Sequence, residues 1–137
     1  MFRKLFIFAL GLSFIPLSAM AGSDKADKLA KALEKYEKTG KVERCVRLTQ
    51  IYSSRVIDDN HIVFIMRGKK AYLNTLPRRC SRLGFEKAFS YKVSMNQLCN
   101  VDIITVFDST GGIQGPSCGL GKFVEYKKKP KVEKSAD

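Results

Sequence analysis

The spacing of hydrophobic positions changes character along the chain. Leu5 to Leu17 is a 13-residue apolar stretch broken only by Gly11, Ser13 and Pro16. From Ser23 to Lys38 the apolar residues Ala26, Leu29, Ala30, Leu33 and Tyr36 recur at helical spacing, which predicts an amphipathic helix. Ser23 suits an N-cap, Asp24 and Asp27 sit near the positive end of the helix dipole, and Gly40 offers a stop. Such a stripe docks on the chain's own core more often than on a membrane surface.

From Arg44 the period shortens to that of strands. Cys45 to Tyr52 alternates loosely, and Arg55-Val56-Ile57 runs on into the polar turn Asp58-Asp59-Asn60. In His61 to Arg67, Ile62, Phe64 and Met66 share one face while Val63 and Ile65 share the other. Apolarity on both faces predicts an interior strand. Gly68-Lys69 is the next turn and Lys70 to Leu76 the return strand, giving a three-strand meander. Pro77 ends it. Further along, the pattern predicts a short helical turn near Phe85–Ala88 and strands at Phe89–Val93, Val101–Phe107 and Lys122–Tyr126. Asp108 to Ser117 reads as a loop by composition. The fold class expected is mainly β: a small antiparallel barrel or half-open roll of five or six strands, with an N-terminal helix.

The apolar stretch near the N-terminus is preceded by Arg3 and Lys4 and followed by Ala19-Met20-Ala21. These are the parts of a cleavable export signal. The stretch is short of the roughly 20 residues that span a bilayer, and no later run suits a membrane anchor. The organisation expected is a signal peptide at 1–21, a helical segment at 22–41, a β domain at 42–126 and a charged, disordered tail at 127–137. Cleavage near Ala21 would deliver the mature chain to the periplasm or the exterior.

Cys45, Cys80, Cys99 and Cys118 all lie downstream of that signal. An even count in a small exported chain reads as a disulfide framework. Three pairings exist. Spacing permits Cys45–Cys80 with Cys99–Cys118. Pairing Cys80 with Cys118 and Cys45 with Cys99 would instead tie the end of the meander to the start of the last strand and close the roll. No Cys-x-x-Cys occurs, so thiol redox chemistry has no support. Neighbouring cysteines are 35, 19 and 19 residues apart, unlike the close pairs of a thiolate zinc site. No metal or cofactor is expected.

Charge adds a direction. The chain carries 25 basic and 13 acidic side chains. Loss of Arg3 and Lys4 with the signal leaves 23 against 13, a net charge near +10. Export argues against nucleic acid as the partner and leaves anionic lipid, lipopolysaccharide or an acidic envelope protein. The same charge also serves solubility. The best candidate contacts are Arg78, Arg79 and Arg82 beside Cys80, followed by Arg67, Lys69 and Lys70 at the hairpin turn.

Catalytic constellations are sparse. His61 is the single histidine. Asp58 and Asp59 are adjacent and would point to opposite faces of a strand, so a turn explains them better than a general acid/base pair. Asp102 and Asp108 flank a strand, and Gly111 to Pro116 lacks the Lys-Ser/Thr ending of a phosphate loop. The expectation is a non-enzymatic binding module for an anionic envelope component or an acidic protein. The alternatives are a small envelope enzyme using His61 with Asp58, Asp59 or Asp102, and an inhibitor or assembly factor of an envelope enzyme.

Several segments together carry a resemblance: Arg44 to Leu48, Arg55 to Asp59, Tyr72 to Cys80, Phe89 to Tyr91, Leu98 to Val106 and Ser117 to Phe123. The most specific pieces are Leu76-Pro77-Arg78-Arg79-Cys80 and Cys118-Gly119-Leu120-Gly121. Over Arg44 to Phe123 the chain resembles a family of small exported proteobacterial proteins classed as a domain of unknown function. The resemblance implies the domain limits and a periplasmic setting. It implies no activity, substrate or catalytic residue.

Overall fold

The computed structural model describes residues 23–131. The expected signal peptide and the last six residues of the expected tail lie outside them. Helix α1 spans Ser23–Leu33 and helix α2 spans Leu83–Glu86. The strands are β1 (Tyr36–Glu43), β2 (Cys45–Arg47), β3 (Ile51–Val56), β4 (His61–Met66), β5 (Lys70–Thr75), β6 (Phe89–Tyr91), β7 (Gln97–Cys99), β8 (Ile103–Phe107), β9 (Gln114–Gly119) and β10 (Phe123–Lys128).

These strands form three antiparallel sheets. The largest has the order β1-β10-β5-β4-β3; β2 pairs with β7, and β6-β8-β9 form the third. The fold is mainly β, as expected, but no sheet closes into a barrel. The physical reason lies in the order: β1 and β3 are opposite edges of the large sheet, and the chain leaves β1 at Glu43 to pair β2 with β7 instead. The expected five or six strands become ten: Tyr36–Glu43 is a strand, the segment from Cys45 to Val56 divides into β2 and β3, and β7 and β9 are added later in the chain.

The two faces of β4 explain the layering. Ile62, Phe64 and Met66 face a core shared with Val56, Tyr72, Leu76 and Phe123 of the large sheet and with Val46, Leu98, Ile104 and Val106 of the smaller ones. Phe64 and Phe123 meet edge to face at 5.6 Å between ring centres, an arrangement aromatic quadrupoles favour. Val63 faces the other way, with Ile57, Ala71 and Leu73, against Leu33. Leu29, Ala32 and Tyr36 complete that layer, so α1 docks on the sheet. Ala26 and Ala30, read as part of the stripe, are exposed.

The helix is shorter than the expected 23–38. It stops at Leu33, and Tyr36–Glu43 is a strand along β10. Tyr36 keeps its apolar contact but makes it from the strand. Gly40, expected to stop the helix, instead sits at φ +86° within the register shift between Lys38 and Val42. That left-handed backbone costs least at glycine. The expected loop at 108–117 also gives way, from Gln114 onward, to β9. Last, β10 runs to Lys128 and the Lys129 amide donates to the Lys35 carbonyl at 2.9 Å. The start of the expected disordered tail is therefore built into the sheet.

Two disulfides cross-link the chain. Cys45 and Cys99 are directly opposite in the β2–β7 ladder, with Cα atoms 4.0 Å apart. Cys80, fully buried, joins Cys118 of β9 across 5.8 Å.

Candidate anion-binding cleft

The meander turns decide which basic residues are free. Asp58 is buried at the first turn, where its carboxylate accepts the Asn60 amide at 2.7 Å and the His61 amide at 2.9 Å. His61 Nδ1 lies 2.9 and 3.0 Å from the two carboxylate oxygens. Burial pushes the Asp58 carboxyl up, but the Asn60 and His61 hydrogen bonds and the imidazole charge together hold it below the usual carboxylate range. The structure thus brings His61 and Asp58 together, but as the clip of a tight turn whose carboxylate is already occupied by backbone. Asp102 serves elsewhere, accepting the Cys99 amide at 2.6 Å. Asp108 closes a turn on Thr110.

Asp59 points the other way and holds the segment after Pro77. Its carboxylate accepts Arg79 Nε at 2.8 Å and the Gly84 amide at 2.8 Å, while its carbonyl accepts the Cys80 amide. Arg82 pairs with Glu86. Of the three arginines beside Cys80, two are therefore engaged with carboxylates. Arg78 is exposed and has no carboxylate partner among the described residues.

The second group converges. Arg67, Lys69 and Lys70 border a cleft of about 430 Å³ between β5 and β2. Arg47 of β2 joins them, and Gln50 and Glu43 complete the rim. The floor is Val46, Met66 and Tyr72, all buried. Arg67 Nε donates to the Thr49 carbonyl at 3.1 Å, and Arg67 is exposed. Arg47, Arg67 and Lys69 have no carboxylate partner among the described residues. The Cys45–Cys99 bridge fixes β2, and so fixes the wall that carries Arg47.

Beneath the cleft lies Glu125, buried in β10. It accepts Lys70 Nζ at 3.1 Å, Tyr72 Oη at 3.2 Å and Thr39 Oγ1 at 3.0 Å. Burial raises its carboxyl, yet the bonds from Lys70 and Thr39, the Lys70 charge and the Tyr72 bond leave it below the ordinary range. Burial, followed by the charge of Glu125, pushes the Tyr72 phenol up to about 12. The rim is thus cationic, and its floor carries a neutral phenol fixed in place. A phosphate or carboxylate group would meet several donors there, with apolar surface behind them.

Arg47, Tyr72 and Glu125 were not singled out in the sequence. Arg47 had one usable signal: it lies two residues from Cys45 and shares its face of the strand. Glu125 had none, because its partners lie 55, 53 and 86 residues away. No helix among the described residues is long and apolar enough to cross a membrane. No curated protein and no solved structure matches the chain. The family match begins well before Arg44 and takes in the N-terminal helix: over residues 1–126 the chain belongs to DUF6491, a family of unknown function.

Proposed function

We propose that this protein is a non-enzymatic binding module that takes an anionic group of the cell envelope into the cleft bordered by Arg47, Arg67, Lys69 and Lys70. The two disulfides suggest an extracellular or periplasmic protein, and cleavage of the chain near Ala21 belongs to the same proposal. The carrying observation is the convergence of four cations on an apolar floor, with one carboxylate, Glu43, on the rim. Lys70 is anchored by Glu125, while the other three cations keep their charge available for a ligand.

Titration calorimetry with tripolyphosphate tests this. Wild-type protein binds at low salt, and affinity falls as salt rises. The Arg47→Gln, Arg67→Gln, Lys69→Gln variant loses binding while keeping its melting temperature. Binding that survives in the folded triple variant would place the anion elsewhere and refute the assignment.

A further inference from the structure

The cationic surface does not end at the cleft. Lys69 also borders a second groove, of about 620 Å³, formed by Gly68 and by Lys127, Lys128, Lys129 and Lys131 near the end of the described chain. Its single carboxylate is Glu37. The two grooves abut at the β4–β5 turn, with Lys69 as their common wall. A third, smaller hollow continues the lysine surface to Lys35. Pairing of β10 with β5 and β1 and the hydrogen bond from the Lys129 amide to the Lys35 carbonyl hold these lysines beside the turn.

Resting on the cleft assignment above, we propose that this face docks on an anionic phospholipid bilayer, with one headgroup in the cleft and neighbouring headgroups along the lysine groove. The form of the surface favours a bilayer over a single shaped ligand. Its cations are mostly exposed lysines, which act as hydrated point charges rather than as a rigid fork. They extend over two adjoining grooves, so an opposing surface needs many equivalent anions at no fixed spacing. The apolar floor of the cleft gives the glycerol and upper acyl carbons of a headgroup a place that a purely polar polyanion would not use. Each lysine near such a surface strengthens partitioning about fivefold.

The test is cosedimentation of the intact protein with phosphatidylcholine vesicles with and without phosphatidylglycerol, alongside tripolyphosphate calorimetry. The expected result is binding only where phosphatidylglycerol is present, lost at about 0.5 M salt, where charges are screened within roughly 4 Å. The Lys128→Gln, Lys129→Gln, Lys131→Gln variant weakens vesicle partitioning on the order of a hundredfold. It leaves tripolyphosphate binding in the cleft unchanged. Tripolyphosphate binding without vesicle binding would overturn the bilayer proposal and leave the cleft standing. Vesicle binding unaffected by the lysine variant would also overturn it. Absence of both would remove the two together.

Discussion

Asn74 is fully buried, and its side-chain amide satisfies both polar groups of Gly121: Nδ2 donates to the carbonyl at 2.6 Å and Oδ1 accepts the amide at 2.8 Å. A Cβ at position 121 would overlap the Thr75 carbonyl, so only glycine lets the two backbones approach. Asn74→Ala leaves both backbone groups of Gly121 without that partner and should cost about 2–4 kcal/mol by denaturant unfolding. Gly121→Ala should cost at least as much. The Glu125 site makes a pH prediction. Its folded pKa lies below the unfolded one, so its contribution is present above the unfolded value of 4.5 and is lost as pH falls through the folded value. Melting temperature should fall on acidification, and Glu125→Gln should flatten that slope. Tyr72 acts at the other limit. Its phenol is raised from 10.0 to about 12, so its contribution is complete below pH 10 and disappears as pH rises towards 12. Ultraviolet titration of the five tyrosines should show one late ionisation that Tyr72→Phe removes.

Among the elements, the meander was the most legible. Ile62, Phe64 and Met66 against Val63 and Ile65 announce an interior strand, because burial on both faces leaves no polar alternation. The Asp58-Asp59-Asn60 turn was equally plain from its side chains. Tyr36–Glu43 was not legible, since its polar residues carry no strand period and its pairing with β10 depends on a segment 80 or more residues later. Gln114–Gly119 was hidden for the same reason: glycine and proline dominate a strand held by its neighbour and by Cys118. The engagement of Arg79 and Arg82 beside Cys80 was not legible, because Asp59 and Glu86 meet them only in three dimensions or across a helical turn. The disulfides allow a comparison between elements. With sequence separations of 54 and 38, each restricts the unfolded chain by about 4 kcal/mol in the chain-entropy estimate. Cys80 is in the core, whereas Cys45 and Cys99 are half-buried. Thermal unfolding should therefore show a larger loss for Cys80→Ala, Cys118→Ala than for Cys45→Ala, Cys99→Ala.

Across the whole molecule, the β layers divide the labour between stability and charge. The two apolar layers flank one sheet, and the end of that sheet gathers basic side chains from β2, the β4–β5 turn, β5 and β10. Charge counted along the chain showed an excess of cations but not this focus, which depends on strand order. The excess is thereby given an address. The most direct measurement is amide-resonance mapping of isotopically labelled protein during addition of tripolyphosphate at low salt. Shifts should cluster at Arg47, Arg67, Lys69, Lys70 and the adjoining Tyr72, and should vanish when salt is raised. Shifts centred on Arg78 and the segment after it, or no shifts at all, would contradict a cationic cleft as the binding site.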